Sequence, residues 1–563
     1  MEWLEPVGIN LKKLRPAASE DWKASTSLDE ERMSMNALLP LHEDTDALVA
    51  FYINHLEYLH RVVHIPTFRK EYATFWAAKQ SRSSEITALV LAILAISACA
   101  SNSSGDHTSI ECKFRTIPVP WILACEQWLS RQSLKHRRLA HYQVSCLVYL
   151  AKRMNMINKK RYWIETGSNL IQSAIIDGLP CDAHSVTDGP FTREMKRRIW
   201  HTVRELDLQN AYEYGLPTLL HNIESIVEAP ANIDDEEFDD TSADIPPSKP
   251  NGHYARTSYQ SLSARSWKLR LEISRHLHSP AFSQPLSYDE VLHYTHEVTQ
   301  TLHDLPAWNT EEPLPCLAHA FLKFQLMECI LALHRPYLHR ENSKFWLSQN
   351  ISHQMSQEVL LLNRRLDEQG AHSLAQLRED LLLASLTLTR ITMLQSPGRS
   401  PPSATLICLL WLHDAVLRLT CSSTASTSIV MINSTVSIQL LEQCLPLTGK
   451  RYLRCYNSEP WCFLTMYATA MLLKVHLGKE QRRTAKYSCA QMFLELHRKH
   501  VQNQQMSVPS QWQHHQQQPP AQDLYLGSED VSSRFYGYGS EQAYNPANRP
   551  RSLANSCPYL VQS

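Results

Sequence analysis

The sequence predicts an all-α fold: a large multi-helix regulatory body followed by a disordered C-terminal tail. Three observations carry this expectation. Apolar residues recur at three- and four-residue spacing in segment after segment from Thr45 onward, as one buried helical face requires. No stretch of any length alternates apolar and polar residues as a half-buried strand would. Glycine is scarce, 14 in 563 residues, too few for the many tight turns of a sheet-rich chain this long.

The elements follow in order. Residues 1–45 are polar and irregular, a lead-in with at most one short helix. In DALVAFYINHLEYLH, Leu48, Phe51, Tyr52, Leu56 and Leu59 fall on one helical face. Further helices are predicted at 86–100, 119–133, 137–155, 161–178 and 192–213. The run Ile86 to Ala100 is the most apolar. At about 1.5 Å per residue its fifteen residues reach only about 22 Å, short of a bilayer core, so it reads as a buried core helix. Residues 231–257 break the pattern with an acidic block, DDEEFDD, and prolines 246, 247 and 250. Periodicity returns at 258–279, 288–305, 317–338 and most of 351–395. The stretch 402–446 is apolar and Ser/Thr-rich, and 459–500 holds two more amphipathic helices. Beyond Val501 the chain turns Gln/His/Pro-rich and then mixes acidic with aromatic residues, too polar to offset chain entropy by burial. The expected organisation is therefore a lead-in (1–45), a regulatory domain (46–340), a helical continuation (341–500) and a tail (501–563).

Composition narrows the function. The formal charge is −1, without the basic excess that autonomous, high-affinity DNA binding uses to neutralise phosphates. No GxGxxG, phosphate loop, GxSxG elbow or HExxH pair gives a catalytic foothold, so neither an enzyme nor a cofactor is expected. A zinc finger needs two thiolates close in sequence, and no Cys-x2-Cys is present among the 14 cysteines. Cys455 and Cys462 have a zinc-cluster spacing but lack companion pairs. His60 with His64, and His293 with His296, lie about one helical turn apart without a completing carboxylate or thiolate. No metal is expected. Without a secretory signal at Met1, the cysteines read as reduced thiols of a nuclear or cytosolic protein.

Three segments carry a family resemblance: YINHLEYLHRVVHIPTF (52–68), YWIETGSNLIQSAIIDGLPCD (162–182) and TREMKRRIWHTVRELDLQNAYEYGLPTLL (192–220). The region 46–240 resembles the middle regulatory region of the fungal zinc-cluster transcription factors. His64, Pro66 and Phe68 match the family's His-x-Pro-x-Phe, placed at the end of its opening helix. Gly178, Leu179 and Asp182 match the close of its second helix, where Pro180 and Cys181 replace a His and an Arg. Glu194, Arg197, Arg198, Trp200, Asp207, Gly215 and Pro217 match the third and most specific motif. Pro230, Asn232, Asp234 and Asp235 match its closing element, and Leu333 to Pro336 a later one.

Read from the residues alone, these positions are structural. Met195, Ile199, Val203 and Leu206 form a stripe, with Trp200 beside it on a packed helix. Glu194 and Arg198 make an i,i+4 pair, Arg193, Lys196, Arg197 and Arg198 a solvated basic face, and Gly178 a helix stop. The resemblance implies a nuclear transcriptional regulator acting through contacts with other transcription factors or coactivators, touching DNA only indirectly. Control of a metabolic or specialised-metabolite gene cluster fits that class. It leaves open homo- or hetero-dimerisation and a small-molecule effector, and implies no membrane association. The family's six-cysteine cluster is not carried over, because the first cysteine is Cys99. Two alternatives remain: a DNA-binding factor whose zinc cluster lies upstream of this sequence, and a metabolite-sensing helical protein.

Overall fold

A computed structural model gives the fold. It describes residues 35–77, 82–100, 118–132, 138–155, 159–181, 188–223, 227–278, 286–338, 345–370, 377–395, 434–454 and 461–506. Among the described residues there are fifteen α-helices, three short 3-10 turns and no strand. In chain order the first eight helices are α1 (His42–His55), α2 (Ile65–Ala77), α3 (Ser84–Ala100), α4 (Pro118–Ser130), α5 (Leu139–Asn155), α6 (Lys159–Ile176), α7 (Pro190–Tyr214) and α8 (Ser258–His278). The remaining seven are α9 (Tyr288–His303), α10 (Pro313–His334), α11 (Trp346–Glu368), α12 (Asp380–Leu394), α13 (Ser434–Arg454), α14 (Trp461–His476) and α15 (Arg482–Met506).

The apolar run seen in the sequence becomes the axis of the first half. Every residue of α3 from Thr87 to Ala100 is buried, with α1, α4 and α5 packed around it. A helix that is apolar all round has no face to offer water, so neighbours must enclose it. Trp121 of α4 is also fully buried, and its indole N–H donates to the Leu38 carbonyl at 2.9 Å. Helix α7 contacts α5, α6, α8 and α10. In the second half α10, α11 and α12 pack in series, α11 and α12 touch α13, and α12 touches α14. Helix α10 alone among the described helices is long and apolar enough to cross a membrane. Its apolar window is 89% buried inside the fold, as in the core helix of a globular body. The α13–α15 region closes on Tyr452, Phe463, Leu464, Phe493 and Leu496.

Some expectations need correction. The opening helix does not run to Phe68: α1 stops at His55, and His64-x-Pro66-x-Phe68 begins α2 instead. Pro66 suits that place, since a proline in the first helical turn forfeits no intrahelical bond. The break between the two helices is fixed by Arg61, whose φ of 44° lies in the left-handed region. At the C-terminus, residues 501–506 complete α15 and so belong to the helical body. The tail beyond residue 506, residues 1–34, most of the 402–446 stretch and Cys455 lie outside the described residues. Residues 434–446 of that stretch belong to α13, which holds Pro446 within it.

Candidate functional site

The motif residues meet at one buried acid, Asp235, in the 3-10 turn after the acidic block begins. Its carboxylate is fully enclosed and ion-paired with Arg61 and with Arg198, whose Nη1 lies 2.7 Å from Oδ1. The Ile65 backbone N–H donates to Oδ2 at 3.0 Å. Burial pushes the Asp235 carboxyl up, but Arg61 and Arg198 overcome this and hold it well below the usual carboxylate range. Arg198 is held in turn by Glu194 at 3.1 Å and lies over the Phe238 ring, 5.0 Å from its centroid. Glu194 also accepts from the Ala231 N–H at 3.2 Å, tying α7 to the residue after buried Pro230.

His64 completes the hub. The Asp235 carbonyl can only accept, so the imidazole Nε2 at 2.9 Å is the donor and Nδ1 is left to accept from the Thr67 hydroxyl at 2.8 Å. Both ring nitrogens are thus committed to protein groups. Phe191 and Phe238 meet the same ring edge-on, at 5.0 and 4.8 Å between centroids. Phe68 is buried one turn further along α2.

Two residues of this hub were missed by motif reading: Glu57 and Arg61, in the turn between α1 and α2. Glu57 accepts from the Val63 N–H at 2.5 Å and from the Tyr52 hydroxyl. Burial pushes its carboxyl up to about 7, against the pull of Arg61. Arg61 donates to the Glu57 carbonyl at 2.9 Å. A charged residue in a left-handed backbone is sterically costly, and such strain persists only where surroundings over-determine it. Here the two acids do so. The available signal was the pair of opposite charges, Glu57 and Arg61, four residues apart in an otherwise apolar segment.

The other motif residues are helix ends and core. Gly178, with φ of 75°, closes α6: its N–H donates to Ile175 O at 3.1 Å, and that of buried Leu179 to Ala174 O at 3.0 Å. This paired bond pattern needs the left-handed residue that glycine supplies. Gly215, with φ of 64°, ends α7 likewise. Asp207 then accepts from the Leu219 and Leu220 N–H groups at 3.1 and 3.3 Å, fastening the turn that exposes Pro217. Trp200 is buried at 1% exposure. Asn232 donates to the Lys249 and His253 carbonyls, and the Asp234 carboxylate accepts from the Arg256 N–H at 2.8 Å. His334 bridges Thr295 at 3.0 Å and Ser348 at 2.9 Å. Asp182 lies outside the described residues.

The basic face expected on α7 is divided. Arg193 is exposed; Lys196 and Arg197 are half-buried and pair with Asp188 at 2.6 Å and Glu228 at 3.0 Å. Arg198 is fully buried, because Asp235 and Glu194 supply the charge that lets it leave water. The Glu194–Arg198 pair is therefore a core element, not a surface one.

These motif residues all fall within a matched family profile, the fungal specific transcription factor domain, which covers residues 48–368. The chain belongs to that family. At 30% identity, it is similar over 56% of its length to "Transcription factor opdR" of Penicillium oxalicum, covering 40% of that protein. It is 28% identical to "Transcription factor lepE" of Aspergillus flavus, over 58% of this chain and 40% of the relative. A third relative, the "Zn(2)-C6 fungal-type transcription factor mpsB" of Macrophomina phaseolina, is 26% identical over 54% and 42%. The chain thus spans about two fifths of the length of these curated relatives. No solved structure matches the chain.

Proposed function

We propose that this chain is a nuclear transcriptional regulator that acts through protein contacts, as a partner of DNA-binding factors or coactivators, and controls a specialised-metabolite gene cluster. The family match over residues 48–368 carries this reading. The gene-cluster element is supported by relatives whose names record one, such as the "Equisetin cluster transcription factor eqxF" of Fusarium heterosporum, 26% identical over 53% of this chain and 45% of its own. The protein-contact element is supported by the near-neutral charge, which leaves little Coulombic attraction to phosphate. The motif residues serve as the frame of this regulator: they join α1, α2, α7 and the 231–257 segment through paired charges and caps.

A second reading, direct DNA recognition through a zinc cluster upstream of these residues, is favoured by the relative named for a Zn(2)-C6 cluster. One pair of measurements tests both. A fluorescent fusion of the chain should concentrate in the nucleus, and deleting its gene should change transcripts of a contiguous set of biosynthetic genes. A cytoplasmic fusion with an unchanged transcriptome overturns the proposal. An in-frame Cys-x2-Cys-x6-Cys encoded just upstream of Met1, with sequence-specific, nanomolar duplex-DNA binding by the chain so extended, replaces it with the second reading.

A further inference from the structure

Six residues beyond Arg198 on α7 stands another buried arginine in opposite circumstances. Arg204 is 6% exposed, yet among the described residues no carboxylate lies within ion-pair distance of it. The adjacent acid, Glu205, is taken: Arg270 grips both its oxygens at 2.7 and 2.9 Å, and Gln325 donates to it at 2.8 Å. The groups that touch the Arg204 guanidinium are uncharged, and the Coulombic pull of Glu205 on it is opposed by Arg270. It lies over the Trp267 ring, 4.7 Å from the centroid, and its Nη2 meets His201 Nδ1 at 3.3 Å.

The hydrogen-bonding state of this cluster can be read atom by atom. A guanidinium can only donate, so His201 Nδ1 accepts, and in the neutral ring Nε2 carries the hydrogen. Burial and the neighbouring Arg204 hold His201 well below the ordinary histidine range, which keeps the ring neutral. Among the described residues three buried donors then have no acceptor: Arg204 Nε, His201 Nε2 and Trp267 Nε1. One buried acceptor is also unmatched, Gln260 Oε1, two turns before Trp267 on α8. Its orientation is fixed because Nε2 donates to the His60 and Arg198 carbonyls at 2.6 and 3.2 Å. Arg204 itself, pulled down by burial to about 10, is still a cation at neutral pH. Among the described residues the cluster therefore offers a buried cation without an ion-pair partner and an excess of donors over acceptors.

We propose that Arg204, His201 and Trp267, where α7 meets α8, take the carboxylate of a small organic acid. A single negative charge gives Arg204 an ion-pair partner, and carboxylate oxygens accept from a guanidinium edge and from indole and imidazole N–H groups. Gln260 Oε1 adds room for one donor, so an acid bearing a hydroxyl or amide N–H matches the set most fully. The site supplies the effector for the regulator proposed above. Its chemistry stands on these side chains alone, and a negative result here leaves the localisation and transcript test untouched.

The test uses the full chain and its thermal midpoint. Sodium acetate, hexanoate, benzoate and lactate are compared with the neutral amides of the same skeletons at constant ionic strength. A ligand that binds only the folded state raises the midpoint with concentration. At least one carboxylate should raise it at millimolar concentration while its amide does not. Arg204→Met should melt, without ligand, at or above the wild type, because it removes an unpaired buried charge, and should lose the carboxylate response. Trp267→Phe keeps the ring under Arg204 but lacks the N–H. It should weaken binding about tenfold, the effect of one hydrogen bond to a charged group, and it reads the site even if Arg204→Met fails to fold. Acids and amides acting alike, or an acid-selective shift that survives in both variants, overturns the proposal.

Discussion

The Asp235 hub and the α13–α15 region are both buried interiors, built on different physics. Around Asp235 four fully enclosed charges form a chain of ion pairs, Glu194 with Arg198, Arg198 with Asp235 and Asp235 with Arg61. In α13–α15 the corresponding positions are Tyr452, Phe463, Leu464, Phe493 and Leu496. A buried ion pair is weak evidence for stability, since desolvation offsets much of the attraction, but deleting one partner strands the other. An apolar cluster fills volume, and many combinations of similar size fill it well. The hub should therefore be brittle to single changes and the C-terminal cluster tolerant of them.

The largest expected effect follows directly. Asp235→Ala strands two buried arginines, and deleting one partner of a buried pair typically costs about 3–5 kcal/mol. That is a large share of the roughly 5–15 kcal/mol that holds a domain together, so the variant should accumulate poorly as folded protein. Phe493→Leu, in the contrasting region, should cost no more than about 1.5 kcal/mol, as apolar exchanges of similar volume do. Chemical denaturation of both variants checks the pair. Equal losses would erase the distinction.

Next in size comes Trp200→Ala. Removing a buried tryptophan typically costs about 3–5 kcal/mol through lost burial and the cavity left behind. Loss of regulation in cells should then track loss of protein, measured by immunoblot beside a reporter. A normally abundant, normally melting but inactive variant would instead make Trp200 a functional contact.

The same contrast governs what could be read from sequence. Charged and conformationally special residues leave marks: Glu194, Arg198, Asp235, Gly178 and Gly215 each occupy a position that few other residues could fill. The motif order was therefore legible, and helix positions followed from periodicity. Burial of the charges was not. Arg198 in a Lys/Arg-rich segment looks like a solvated residue until Asp235, 37 positions away, is brought beside it. The α1–α2 break was missed for a related reason, since apolar spacing continues through Leu56 and Leu59 while Arg61 turns the chain. Arg204, His201 and Trp267 carried no signal at all, because their distinction is the partner each lacks.

A smaller effect tests the hub through pH. Glu57 is raised to about 7 in the fold, against roughly 4.3 when unfolded. Between those values the folded state holds a proton that the unfolded state has released, so stability falls as pH rises from about 4 to 7. The full swing is on the order of 3 kcal/mol. Glutamine at this position keeps an acceptor for the Val63 N–H but cannot titrate. Glu57→Gln should therefore melt less differently between pH 5 and pH 7.5 than the wild type does. Asp235, depressed in the fold, acts with the opposite sign and only in acid, below about pH 4. An unchanged pH slope in Glu57→Gln would place the proton elsewhere.

The smallest effect sets a second buried polar network, around Arg153, against the C-terminal cluster at a single methyl group. Gly167 lies within α6 and Gly449 within α13, and neither has a positive φ, so alanine suits both backbones. In unstrained helix interior, alanine for glycine stabilises by about 0.4–1 kcal/mol, chiefly by restricting the unfolded chain. At Gly449 the added carbon would meet the Phe463 ring at 3.5 Å and Leu496 at 3.9 Å, ordinary contact distances. Gly449→Ala should thus raise the melting midpoint slightly. At Gly167 the same carbon would lie 2.8 Å from Tyr149 Cε2. That ring cannot retreat freely, because its hydroxyl joins Asn210 at 3.0 Å and Arg153 at 3.1 Å, and Arg153 is ion-paired with Glu213 at 2.5 Å. Gly167→Ala should therefore destabilise, reversing the sign that helix propensity alone assigns. If both variants gain stability, the polar network around Arg153 is softer than its bonds imply; if both lose it, the C-terminal cluster is as tightly specified as that network.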